Sequence, residues 1–242
     1  GSVSCGKLVF AINAWTPNFL PFLSRSAVLV SSDMIISEPI KYQLQSLGLN
    51  NGLVILDSNL FTHYSRTTPD GKIILGKGGN TFSFRNKVID SFDGPSTIEK
   101  LLKKSLLSFY PSLKDAKITT SWNGPSERTK TGFPFFGYHP KNKNISYAFG
   151  YSGNGVLTCH VGGEILSSMT LDENNKWTDS NFCKGPLKNF PPEPFRWLGA
   201  MIIRNAVRRK ENAQEKEINP KWIDKQFAKL AVSIGREDLK KK

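Results

Sequence analysis

The stretch Ile145-Ser-Tyr-Ala-Phe-Gly-Tyr-Ser-Gly-Asn-Gly-Val-Leu-Thr-Cys-His-Val-Gly-Gly-Glu-Ile-Leu-Ser-Ser-Met-Thr-Leu171 decides the reading of this chain. Its first five residues, Ile145 to Phe149, form an apolar run of strand length. Gly150, Gly153 and Gly155 then break the run. Beyond them Val156, Val161, Ile165, Leu166 and Met169 recur at helical spacing. The pattern predicts a short buried strand, a glycine-rich turn and a long helix. Glycines let backbone approach a ligand closely. The start of a helix offers unpaired N–H groups and the positive end of the peptide dipole. An electron-rich group is therefore expected on this turn.

Composition bounds what the rest can be. The 242 residues, 38% of them hydrophobic, can bury one large core or two smaller ones. A 22% charged fraction is not that of a disordered chain. The formal net charge is +13, which admits an anionic partner, but a lysine-rich solvated surface with a basic tail explains it more simply. No RNA-binding signature or stacking motif accompanies the charge, so nucleic acid is not expected as a partner. Cys5, Cys159 and Cys183 are widely spaced and odd in number, which suggests neither a disulfide framework nor a zinc site, and no metal is expected. His63, His139 and His160 are the only histidines. No apolar run is long enough to span a bilayer, no signal peptide is visible, and a cytoplasmic location is expected. Gly1-Ser2 reads as an added dipeptide, so the natural start is expected elsewhere.

Upstream of the deciding stretch, Lys7 to Ile12 reads as a buried strand that ends in the loop Asn13-Ala-Trp-Thr-Pro17. Strands are expected over Ala27–Ile36, Leu53–Leu56, Thr62–Thr67, Lys72–Leu75 and Lys117–Trp122. Pro69-Asp-Gly71 is a turn signal that closes a hairpin. Ser96 to Tyr110 predicts an amphipathic helix with Ile98, Leu101, Leu102, Leu106 and Phe109 on one stripe, capped by Ser96 or Thr97. Asp172 to Lys188 reads as loop. Phe190-Pro-Pro-Glu-Pro194 opens a further helix. Its expected inward stripe is Phe195, Leu198, Ile202, Ile203 and Val207, with Arg196, Arg204, Arg208, Arg209 and Lys210 on the other faces. Trp222 to Leu230 is expected to be a last helix, and Lys240 to Lys242 a disordered tail.

Several blocks, in order, resemble the FAD-dependent amine and amino-acid oxidoreductases of the D-amino-acid oxidase and glycine/sarcosine oxidase-like superfamily. These are Asn13-Ala-Trp-Thr16, Ser37-Glu-Pro39, the hairpin His63 to Gly71 with its exit Gly76-Lys-Gly-Gly79, Trp122-Asn-Gly124 through Arg128-Thr129 to Gly132-Phe-Pro134 and Gly137, the loop Gly150 to Val156 with Gly162-Gly163, and Phe190-Pro-Pro-Glu-Pro194. Thr131 stands where the family's block carries aspartate, and Leu157 where sarcosine oxidase-like relatives carry lysine. Use of dioxygen is therefore left open beside a dehydrogenase.

The resemblance implies an α+β architecture: a mixed, largely antiparallel substrate-domain sheet with helices on one face, plus the C-terminal pieces of a split FAD-binding α/β domain. Residues 7–26 and 123–171 would belong to the cofactor side, 27–122 to the substrate domain, and 172–242 to a C-terminal loop and basic helices. It also implies oxidation of a C–N bond in a small amine or amino acid by hydride transfer to FAD. Asn13, Ala14, Trp15, Gly124, Gly150, Tyr151, Ser152, Gly153, Asn154, Gly155 and Val156 would contact the cofactor. Tyr64, Arg66 and Arg128 would face substrate, arginine being suited to a carboxylate. No catalytic residue is singled out. His63 and His160 are expected to be structural, and no Ser-His-Asp arrangement is expected. The family's opening Gly-x-Gly-x-x-Gly is not found, so the resemblance covers the C-terminal portion, from Lys7 to Lys210. The chain alone is not expected to retain FAD, and the N-terminal half, in cis or in trans, is an implied partner. The alternative is a catalytically inactive interaction module or a basic anion- or nucleic-acid-binding protein.

Overall fold

The computed structural model describes residues 1–186 and 188–233, so the Lys240–Lys242 tail lies outside the described residues. Among the described residues eight strands form two sheets. The larger contains β2 (Ala27–Ser37), β3 (Val54–Leu56), β4 (His63–Thr67), β5 (Ile73–Phe82) and β6 (Ile118–Thr129) in the order β3-β4-β5-β2-β6, all antiparallel. The smaller contains β1 (Leu8–Phe10), β7 (Phe135–His139) and β8 (Asn142–Phe149) in the order β1-β8-β7. There β1 runs parallel to β8, and β8 antiparallel to β7. Six helices complete the described chain: α1 (Thr16–Phe19), α2 (Lys41–Ser46), α3 (Glu99–Phe109), α4 (Gly155–Thr170), α5 (Phe195–Glu215) and α6 (Trp222–Ser233). The architecture is α+β with mixed and antiparallel sheets. β6 runs unbroken through the 122/123 boundary expected from the sequence, so that division falls inside one strand.

The large sheet has two unlike faces, because side chains alternate along each strand. On one, Ile35, Ile73 and Leu75 are buried against Ile40 and Leu44 of the α2 region and Leu102 and Leu106 of α3. Burying each of these aliphatic side chains contributes about 1.5–3 kcal/mol. Leu101 and Phe109, expected on the same stripe of α3, are largely exposed. The helix begins at Glu99, and no side chain bonds from its cap position, Ile98. Ser96 nonetheless accepts the Ile98 N–H through Oγ and donates to the buried Asp33 carboxylate. The opposite face carries Ser32, Met34, Ile36, Tyr64, Arg66, Trp122 and Arg128, as the register of opposed pairs dictates.

Three expectations change in the structure. Gly76-Lys-Gly-Gly79 is not an exit from the hairpin but the middle of β5, which continues to Phe82. The glycines are there because aromatic rings from the neighbouring segment lie over them. A Cβ on Gly76 would meet the Tyr64 ring at 2.2 Å and Met34 Sδ at 2.3 Å, and one on Gly79 would meet Phe61 at 2.3 Å. In α4 the second half is buried as expected, with Ile165, Leu166 and Met169 against Phe136 and Ala148. Its first turn is open to solvent, with Val156 fully exposed. The third change is in α5, whose expected stripe holds only in part: Val207 is buried and Arg209 exposed as expected, but the first turns are reversed. Arg196 is buried, while Phe195, Leu198 and Ile202 face solvent. Arg196 donates to the Ser24 carbonyl and the Glu193 carboxylate, and Arg204 and Arg208 donate to the Asn80 carbonyl. Carbonyls left at the end of a sheet need donors, and an unpaired one is costly. Guanidinium groups meet that need where apolar side chains cannot.

Candidate functional site

The glycine-rich turn forms where β8 ends. Gly150 and Gly153 have φ of +88° and +87°, and between them Ser152 sits at +56°. The left-handed region costs a non-glycine residue about 1–2 kcal/mol. Ser152 is held there by the end of β6: its Oγ accepts the Thr129 N–H at 3.0 Å and lies 3.1 Å from Thr129 Oγ1. Gly150 leaves room for the Thr129 methyl, which a Cβ would meet at 2.3 Å. Gly153 leaves room for the Arg128 guanidinium, 2.9 Å from where its Cβ would be. Asn154 occupies the cap position of α4, and no side chain bonds there. The first amides of α4, from Gly155, Val156 and Leu157, therefore have no partner in the helix or its cap.

The segment after β1 reaches the same end of the small sheet. Asn13, at φ +49°, opens a 3-10 turn through Trp15 that packs against β6 and β8. Ala14 is buried with Leu29 and Phe92, whereas Asn13 and Trp15 are exposed. Both turns lie at the carboxyl ends of the parallel pair β1 and β8, where open sheets with parallel strands bind ligands. Among the described residues, the buried side-chain oxygens without a hydrogen-bond partner are Thr16 Oγ1, Ser91 Oγ and Asn123 Oδ1. All three belong to segments that converge on the Ala14–Leu29–Phe92 cluster. Gly124 follows Asn123 on β6, opposite Ser32.

Tyr64 and Arg128 project from the face of the large sheet that α2 and α3 leave open. Tyr64 Oη and Ser32 Oγ are 2.5 Å apart. Arg128 donates through Nη1 to Ser126 Oγ at 2.6 Å and to the Glu127 carbonyl at 3.2 Å. Burial pushes the Tyr64 hydroxyl up, with the Ser32 bond and the Arg128 charge pulling the other way. Burial likewise lowers the Arg128 guanidinium, against the attraction of Glu127 and Tyr64. Arg66 shares the face but is separated from this pair. It lies opposite Ile74 on one side and Val54 of the edge strand on the other, exposed to solvent.

Two groupings escaped the sequence. Glu127 is 3% exposed, and its carboxylate accepts the Tyr151 N–H at 2.9 Å. A Ser-His-Asp arrangement, not expected from the sequence, exists behind the sheet. His63 Nδ1 is 2.6 Å from Asp57 Oδ2, and His63 Nε2 is 3.1 Å from Ser105 Oγ, with Lys77 Nζ 3.2 Å from the same Nε2. The grouping packs at the junction of β4 and α3. Asp57 also accepts the His63 N–H, which closes the loop before β4. Ser105 sits in the middle of α3, where the neighbouring amides are spent on the helix ladder and cannot stabilise an oxyanion. His160 is exposed on α4. Among the described residues no three His, Cys, Asp or Glu side chains converge to hold a metal.

Residues 1–169 match the family model described as FAD dependent oxidoreductase, known as DAO. The chain belongs to this family. The γ-glutamylputrescine oxidoreductase of Escherichia coli K12 is 28% identical to it over 206 residues, covering 83% of this chain and 45% of that one. The glycine oxidase structure from Geobacillus kaustophilus superposes with a TM-score of 0.57 at 16% identity, over 79% of this chain and 47% of its own. A modified fructosyl peptide oxidase from Aspergillus nidulans gives a TM-score of 0.63 at 15% identity, over 78% and 47%. The chain thus spans about half the length of these DAO-family relatives or less, and the structural likeness is one of fold.

Proposed function

We propose that this chain is the carboxyl-terminal portion of a flavin-dependent oxidoreductase that oxidises a C–N bond of a small amine or amino acid. The observation that carries the reading is the juxtaposition at the end of β6. The glycine-rich turn and the uncapped start of α4 lie directly against Arg128, on the sheet face that also presents Tyr64. The orphaned oxygens of Thr16, Ser91 and Asn123 support a polar ligand beside the turn after β1. The residues present thus fit the cofactor that the family implies. Asn13, Ala14, Trp15, Gly124 and Gly150 to Val156 would hold it, and FAD, when bound, would accept the hydride. The free amides of Gly155 and Val156 would favour a negative charge developing next to them. Arg128 would meet a substrate carboxylate, with the Tyr64 hydroxyl as a second donor. Arg66 has no part in this reading. The names of the relatives, which speak of glycine, γ-glutamylputrescine and fructosyl peptides, support an amine-bearing substrate.

The dinucleotide-binding half is the partner in this proposal. Strand β1 is an edge, with Leu8, Val9 and Ile12 exposed, although a strand in parallel pairing is ordinarily covered on both faces. Val156 and Leu157 on α4 are exposed apolar side chains as well. Residues 7–26 and 123–171 would face that half, 27–122 the substrate, and the described residues beyond 171 would brace the sheet from outside. The nucleic-acid alternative is not favoured, because Arg196, Arg204 and Arg208 turn inward. No helix among the described residues is long and apolar enough to cross a membrane. The test is to titrate the chain with FAD, with and without the dinucleotide-binding half in trans, and follow visible absorbance after gel filtration. Flavin retained with the partner half supports the proposal, and flavin retained in neither case refutes it.

A further inference from the structure

We infer that Glu127 is a positioning residue that sets the shape of the glycine-rich turn and joins it rigidly to the large sheet. The inference rests on the reading that this turn receives the flavin. Glu127 stands on β6, and the turn follows β8 of the other sheet, yet its buried Oε1 accepts the Tyr151 N–H at 2.9 Å. The Gly150 N–H also favours its ionised form. Two residues on, Thr129 takes Ser152 through its N–H and hydroxyl. These bonds hold a four-residue segment in which Gly150, Ser152 and Gly153 have positive φ. Such conformations persist only where the surroundings over-determine them. With the Tyr151 amide spent on Glu127, the unpartnered amides are those at the start of α4, so the carboxylate also decides which amides remain for a ligand.

The carboxylate is a costly choice for a mere support. Burial raises its pKa, and the hydrogen bonds and the Arg128 charge do not restore it. The charged and titratable groups that face it are Arg128 from its own strand and the Tyr151 side chain from the turn. A carboxyl with a raised folded-state pKa makes the fold bind more protons than the unfolded chain, so this group lowers stability as pH rises through the window above its usual value. A neutral isostere should relieve that cost while weakening the bond to Tyr151, since a charged acceptor holds an N–H more strongly than a neutral one. A residue serving stability alone would lose both together.

The full chain and its Glu127→Gln and Glu127→Ala variants decide the matter. For the glutamine variant at mildly alkaline pH, the melting temperature should rise while the protection of the Tyr151 amide against exchange falls about tenfold. That protection, corrected for intrinsic exchange, should fall with acidification in the wild type and stay flat in Glu127→Gln. The alanine variant should lose it at every pH. With the dinucleotide-binding half added in trans, quenching of FAD fluorescence should weaken in the same order. Melting temperature and protection that fall together in Glu127→Gln, or protection that keeps its wild-type pH dependence, would overturn the assignment. If the alanine variant does not fold, the glutamine arm still decides. A wild-type chain that quenches no FAD at any pH even with the dinucleotide-binding half present sinks the cofactor reading, and the exchange arm then still judges Glu127.

Discussion

Gly150 has the least freedom of any residue in the glycine-rich turn. Its positive φ and the Thr129 methyl at 2.3 Å from a would-be Cβ leave no space for alanine. Gly150→Ala should therefore cost about 2 kcal/mol, measured as a shift in urea midpoint at unchanged slope. Asp57 gives a second prediction. Burial pushes its carboxyl up, but the hydrogen bonds from His63 and Asn59 together prevail and leave it below the ordinary carboxylate value of 3.8. A lowered folded-state pKa stabilises the fold above the unfolded value, and that contribution is lost as pH falls through the folded one. Asp57→Asn should flatten the acid limb of stability, followed by circular dichroism below about pH 4. The glycine positions were legible in the sequence because glycine carries its own conformational signature. Glu127 and the Asp57–His63–Ser105 grouping were not. A buried acid looks like a surface acid in a sequence, and Ser105 lies 42 residues from His63.

Among the elements, α3 and α5 teach opposite lessons about amphipathicity. The stripe of α3 was legible in outline, because Leu102 and Leu106 do face the sheet, and Leu106→Ala should cost about 2–5 kcal/mol in thermal or denaturant unfolding. For α5 the same rule holds at Val207 but fails over the first turns, where Phe195, Leu198 and Ile202 are exposed and Arg196 is buried. Its guanidinium groups find carbonyl acceptors at Ser24, Ala27 and Asn80, which only the tertiary fold creates. Arg208→Met would leave the Asn80 side-chain oxygen without that donor, and should destabilise by about 1–3 kcal/mol despite adding an apolar side chain. A gain in stability would mean that the basic face is not the inward one. The strand β5 shows a third case. Its glycines were visible, but their purpose as seats for Tyr64 and Phe61 depends on which strand lies alongside.

At the level of the whole molecule, the α+β class and the largely antiparallel character of the sheet were legible in the sequence, whereas the strand order and the surfaces that stay open were not, because both depend on which strands pair. Val9 and Leu157 are exposed apolar side chains on β1 and α4. Val9→Lys and Leu157→Glu should leave the stability of the chain alone within about 0.5 kcal/mol. Both should abolish association with the dinucleotide-binding half, measured by light scattering of the mixture. Unimpaired association would place that partner on another face.

β6 runs without interruption from Ile118 to Thr129, and its last residues are bonded to the glycine-rich turn. Such a strand acts as a tie bar. The sheet face bearing Tyr64 and the turn cannot part like the two halves of a clam shell without tearing those bonds. On the proposed reading, a molecule lodging between them would have to enter along the floor of the sheet. Traffic into the site would then be governed by whatever stands along that floor rather than by a hinge.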